Sequence, residues 1–196
     1  MAQFQDVLDF WLTEVGTSGW YTQDDAIDTE IRRRFLNEWE TAAAGRLRSW
    51  CFCPNGTLAY LILTDQFSRN MFRGSAKAFA TDVLALEAAK TGIARGFDMQ
   101  IPEPQRQFFY LPLEHSEVPT NQNRAVRLIM ERMPASDGTT LLHARVHREI
   151  IRRFGRFPFR NEALGRLSSP DEADFLARGG YGELVRRFQE PTALSA

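Results

Sequence analysis

The chain has 196 residues, 43% of them hydrophobic and 25% charged, and its formal net charge is -1. That balance excludes a disordered chain, and the near-neutral total selects neither nucleic acid nor an acidic partner. The apolar runs, such as Leu58 to Leu63 and Phe108 to Leu113, fall well short of the ~18 residues of a membrane span.

The opening Met1-Ala2-Gln3-Phe4-Gln5-Asp6 has no basic region before an apolar stretch, so no secretory signal and a cytoplasmic location are expected. Phe4, Val7, Leu8, Trp11, Leu12 and Val15 then repeat at three and four, which predicts an amphipathic helix ended by Gly16 to Gly19. Ile27, Ile31, Phe35, Trp39 and Ala42 predict a second helix, with Gly45 at its C-terminal cap. Cys51 and Cys53 are too close for an ordinary bridge and lack the second pair of a zinc site, so they are read as free thiols. Pro54-Asn55-Gly56 reads as a turn. From Thr57 to about Phe67 the apolar run lacks the alternation of a strand and predicts a buried helix.

Ser75 is expected to cap a helix carrying Phe79, Val83, Leu86 and Ala89, and Pro102 and Pro104 to open one through Phe108, Leu111 and Glu114. Thr120 is the expected cap of a helix with Ala125, Val126, Leu128, Ile129 and Met133, followed by an Asp137-Gly138 turn. Leu142, Val146, Ile150 and Phe154 form the next stripe, stopped by Gly155, and a loop runs on to Ser168. Ser169-Pro170-Asp171-Glu172 is the sharpest local signal: Ser at the cap, Pro at the first helical position, Glu closing a capping box. The expectation is a single all-helical domain over residues 1–196, an all-α arrangement of antiparallel helical hairpins.

Three segments concentrate polar residues beside aromatics: Leu63 to Gly74, Leu111 to Glu117, and His147 to Asn161. All three histidines, His115, His143 and His147, lie in or next to them. The strings LTDQFSRNMFRG, FFYLPLEHSE and HREIIRRFGRFPFRNEALGR resemble the signature of a bacterial domain-of-unknown-function family with a tetratricopeptide-like, all-helical fold. The resemblance runs nearly end to end and implies an α-α superhelix, with no activity attached. Ser68 stands where that family usually shows Pro, and Phe159 where it usually shows His.

The residues themselves support a binding or scaffold module with a polar pocket for a small anionic or peptide-carboxylate ligand. Arg69, Arg73, Arg153, Arg156 and Arg160 supply guanidinium forks that match such groups. Asp65, Gln66, Asn70, Glu114, His115, Glu117, His147 and Asn161 complete the candidate set. The competing reading has Asp65, Glu114 and Glu117 pair with those arginines and staple helix ends. A metal-dependent hydrolase is a further alternative, with His143 and His147 one turn apart and Glu114, His115 or Asp65 completing the site. His-x3-His without the following Glu is not the zincin motif, and no metal is expected. Nucleic-acid binding is a third alternative, through Arg145, Arg148, Arg152, Arg153, Arg156, Arg160 and Arg166, which Gly155 and Pro158 break up. All but Lys77 and Lys90 of the 24 basic residues are arginine, which weakens every argument from arginine alone. No glycine-rich phosphate loop or nucleophile elbow is present, and no organic cofactor is implied.

Overall fold

The structure, a computed structural model, describes residues 3–136 and 138–189. Met1 and Ala2 of the opening, and Asp137 of the expected turn, lie outside the described residues. Every regular element among the described residues is helical, so the protein is all-α. The expectation of one domain stands beside a division into two compact units, Met1–Leu113 and Glu114–Ala196. None of the described helices is long and apolar enough to cross a membrane.

In the first unit, α1 (Phe4–Leu8) runs through a π-helical segment (Asp9–Val15) into α2 (Gly16–Gly19). Then come α3 (Asp25–Ala43), a 3-10 turn (Arg48–Phe52) and α4 (Pro54–Leu61). A second π segment (Ile62–Phe67) leads to α5 (Ser68–Met71), a 3-10 turn (Ala76–Phe79) and α6 (Asp82–Ala94). Two further 3-10 turns (Asp98–Gln100 and Gln105–Phe109) precede α7 (Leu111–Glu114).

The stripes expected on α1 and α3 meet in an aromatic core. Phe67 packs against Phe10, Trp11 and Phe35, with ring centroids 5.1–5.9 Å apart, and Trp20 sets its edge on Phe108 while donating to the Trp11 carbonyl. Two local expectations are corrected in this unit. Pro54-Asn55-Gly56 is not a turn but the first turn of α4, because Pro is favoured at the first helical position. Gly56 is needed there, since a Cβ would lie 2.2 Å from the Trp50 carbonyl oxygen. Ser75 caps only the short Ala76–Phe79 turn, and α6 starts afresh at Asp82.

The Ile62–Phe67 segment is helical as expected, but it widens. A π turn shifts the backbone bonding by one residue and leaves carbonyls to other donors. The Thr64 carbonyl is taken up by the Ser68 and Thr81 hydroxyls at 3.0 and 2.5 Å. Ser68 thus supplies a donor to the widened turn.

The second unit holds α8 (Pro119–Arg132), α9 (Thr139–Phe154), a 3-10 turn (Pro158–Arg160), α10 (Pro170–Ala177) and α11 (Gly180–Gln189). Thr120 is not the cap of α8: Val118 is, with Pro119 first in the helix and Thr120 in the opening turn. Gly155 ends α9 as expected, with φ 69°, a conformation that favours glycine. The capping box of Ser169 and Glu172 is formed in full. The stripe Val146, Ile150 and Ile151 buries with Phe157 and Leu184, and Leu142, Phe154, Phe175 and Tyr181 close over it.

Candidate functional site

Within the first unit the five expected residues sit on and just beyond the wide turn, and internal carboxylates meet both arginines. Arg69 donates to the Asp65 carbonyl at 2.7 Å and lies 3.2 Å from the Asp65 carboxylate and 3.0 Å from that of Asp82. Burial works against its charge, but the two acids outweigh it and hold the guanidinium above its ordinary value. Gln66 donates to Asp65 at 2.5 Å. Asn70 donates to Asp28 at 2.7 Å, and Arg73 grips the same carboxylate through two nitrogens. Asp28 and Asp82 were invisible to the sequence reading, because each partner is distant along the chain.

A second network ties the loop after α9 to α10. Arg156 makes a bidentate pair with Glu172 at 2.6 and 2.7 Å and donates to the Leu167 carbonyl. Glu172 also accepts from the Ser169 N–H and from Asn161. The Arg156 bonds outweigh burial, with Ser169 and Asn161 adding to them, and bring the Glu172 carboxyl down to about 2. Glu117 accepts from Arg166 and from the Phe157 N–H. Burial alone would raise its carboxyl, but these bonds and the charges of Arg166 and Arg160 hold it below the usual range. Arg166 also donates to Asn161 and to the Phe157 carbonyl. Arg153 pairs with Glu149, which Arg152 shares, and borders a surface depression of about 250 Å³ floored by Phe154, Phe175 and Leu184. In the basic segment, therefore, Arg152, Arg153, Arg156 and Arg166 all face acids of their own unit.

The remaining expected residues converge on the flank of α9. Gln122 of α8 is fully buried and donates to the Glu114 carbonyl at 2.5 Å and the Ser116 carbonyl at 2.7 Å, which fixes the backbone that carries Glu114 and His115. His143 and His147, one turn apart on α9, lie beside its apolar stripe. Tyr181, carried by α11 after buried Gly180, reaches them: its hydroxyl lies 2.5 Å from His143 Nδ1. Burial, then the neighbouring His147, pushes His143 down, and burial, then the charge of Glu114, pushes the Tyr181 phenol up. The phenol and the imidazole thus share one hydrogen bond.

His147 Nδ1 donates to the His143 carbonyl at 2.9 Å and lies 3.5 Å from the Glu114 carboxylate. Its ring meets those of His115 (5.8 Å), Phe157 (5.5 Å) and Tyr181 (5.1 Å). Phe159 is half exposed, stacks on Phe157 and turns an edge to Tyr181. Arg160 is buried, with its guanidinium 4.5 Å over the Phe157 ring. Among the described residues no three His, Cys, Asp or Glu side chains are grouped to hold a metal ion.

Tyr181 was not singled out in the sequence, while Arg166 stood there only in the basic segment and Glu172 only in the capping box. A signal for Tyr181 was present: Tyr181, Leu184, Val185 and Phe188 repeat at three and four after Gly179-Gly180, the pattern of one more amphipathic helix.

The model of the bacterial family of unknown function DUF924 matches residues 7–180. The chain belongs to this family. It is also similar to a solved structure, the protein of unknown function ATU0120 from Agrobacterium tumefaciens, at 41% identity and a TM-score of 0.84, covering 90% of this chain and 97% of that one. Comparison with curated proteins gave no match. The all-helical fold implied by the resemblance agrees with the structural likeness, and the DUF924 family is one of unknown function.

Proposed function

We propose that this DUF924 protein is a binding module whose ligand, a small molecule or peptide end with an anionic group, docks on the imidazole–phenol cluster of the second unit. The observation that carries this reading is the meeting of His143 and His147 with Tyr181, beside His115 and over buried Glu114. Of the original thirteen residues, His115, His147 and Arg160 remain as contacts, joined by His143 and Tyr181, with Glu114 buried beneath them. In this reading Glu117, Arg153, Arg156 and Asn161 hold the frame of the second unit, and Asp65, Gln66, Arg69, Asn70 and Arg73 hold helices of the first. The imidazoles and the phenol offer directed hydrogen bonds, and Arg160 offers the positive charge a carboxylate or phosphate requires.

Thermal unfolding in phosphate, sulfate, acetate and a carboxylate-ended peptide tests the reading. A ligand present at ~100 times its Kd adds about 2.7 kcal/mol to stability, so at least one should raise the melting temperature, and Tyr181→Phe should blunt the rise. Indifference to all four, or an unchanged response in Tyr181→Phe, would defeat it. With this reading we carry a tetratricopeptide-like stacking of helix pairs, supported by α8 packing on α9 across a short connection. A cytoplasmic setting is supported by the free thiols of Cys51 and Cys53.

A further inference from the structure

We infer that His147 is a general base: its Nε2 draws a proton from water so that the water attacks the acyl carbon of a small ester held at the same cluster. The inference rests on the binding site proposed above and adds a reaction to it. An imidazole is a base only through the nitrogen that carries no proton, so the tautomer decides the matter. The His143 carbonyl cannot donate, and it accepts from His147 Nδ1 at 2.9 Å. That contact puts the proton on Nδ1 and the lone pair on Nε2. The Glu114 carboxylate, fully buried and 3.5 Å from the same Nδ1, favours the positive charge that the ring acquires when it takes a second proton. Among the described residues Nε2 has no hydrogen-bond partner, and the side chain keeps 14% of its surface exposed.

His143, one turn earlier on the same helix, is engaged at Nδ1 by the Tyr181 hydroxyl at 2.5 Å. Glu114 acts on the reaction only through His147 and is a positioning residue.

The step balances without a co-reactant. Water loses a proton to His147 Nε2 as its oxygen bonds to the acyl carbon, and the carbonyl electron pair moves onto oxygen. When the carbonyl re-forms, the bond to the alcohol oxygen breaks, and the imidazolium returns the proton to the leaving alcohol. A carboxylic acid and an alcohol are released, and the imidazole is restored. The groups facing His147 that bear on its pH dependence are Glu114, His115, His143, Tyr181 and, across Phe157, Arg160.

Hydrolysis of p-nitrophenyl acetate by the full chain between about pH 5 and 9 is the test. The rate should climb with pH to a plateau as one imidazole deprotonates, and should slow in heavy water. His147→Gln should lower it about 100-fold, within the range that general-base catalysis supplies, while unfolding at nearly the wild-type temperature. Glu114→Gln should lower kcat about tenfold with KM unchanged. No hydrolysis above buffer, equal rates in His147→Gln, or a p-nitrophenol burst indifferent to heavy water would overturn the inference. Nitrogen NMR of His147 gives a readout free of any substrate: a proton on Nδ1 is expected, and one on Nε2 overturns it. An anion-induced melting shift without turnover defeats the base and spares the binding site, whereas turnover lost in His147→Gln without any such shift does the reverse.

Discussion

Two turns of the molecule end alike in sequence, Phe67-Ser68-Arg69-Asn70 in the first unit and Phe157-Pro158-Phe159-Arg160-Asn161 in the second, and they are put to different uses. In the first, the cation is the centre: Arg69 lies between Asp65 and Asp82, and Asn70 reaches across to Asp28. In the second, a carboxylate is the centre: Asn161 helps Arg156 and Ser169 surround Glu172, while Arg160 lies flat on Phe157. The Arg-Asn pair specifies a supply of donors near a helix end. Which acid answers those donors depends on partners that arrive from elsewhere in the chain.

Removing the cation from the first turn should be the most damaging way to test this. Arg69→Met leaves two carboxylates facing each other, one of them nearly fully buried, and breaking a buried pair by deleting one partner costs roughly 3–5 kcal/mol. Denaturant unfolding should register a loss of that size, and a loss below about 1 kcal/mol would mean that the pair behaves as a surface contact.

The carboxylate-centred turn should yield to acid instead. Glu172 has its folded value lowered to about 2, against ~4.3 for an unperturbed glutamate, so its contribution is full above the unfolded value and disappears as pH falls through the folded one. Attachment of α10 should persist at about pH 4 and fail between roughly pH 3 and 2, followed by hydrogen exchange of the α10 amides. Glu172→Gln should already cost about 2–3 kcal/mol at pH 7 and should remove that late acid transition.

The two asparagines sharpen the contrast further. Asn161 accepts from Arg166 and donates to Ser168 and Glu172, whereas among the described residues the Asn70 side chain bonds to Asp28 alone. Asn161→Ala should therefore cost about 2–3 kcal/mol and Asn70→Ala about 1.5 kcal/mol, the scale of hydrogen bonds to charged groups. Equal losses would erase the distinction between the turns. Ser169→Ala should be the mildest, about 1 kcal/mol for an N-cap acceptor, read as a shift of the unfolding midpoint.

Local patterns were legible and long-range ones were not. The stripe of Leu142, Val146, Ile150 and Phe154, the stop at Gly155 and the Ser169–Glu172 box depend on neighbours within a turn or two, and each formed as read. The widened turn at Ile62–Phe67 was hidden, because one extra residue in a helical turn leaves the apolar run unchanged. At the candidate site, Glu114, His115 and His147 were singled out by residue type. Tyr181 was not, because the contact joins residues 38 apart, and no helical period reaches across a loop.

The engaged guanidiniums of the loop between α9 and α10 bear on how the protein withstands proteases. Trypsin needs an arginine side chain it can draw into its own acidic pocket and a backbone that can be pulled straight. Arg156 and Arg166 are clamped by carboxylates and carbonyls, and Arg160 is buried against an aromatic ring. A stretch that looks richly cleavable in the sequence should therefore be nicked later than the exposed Arg145 and Arg148 would suggest, and acid of roughly pH 2–3, by releasing Glu172 from Arg156, should open it to an acid-active protease first.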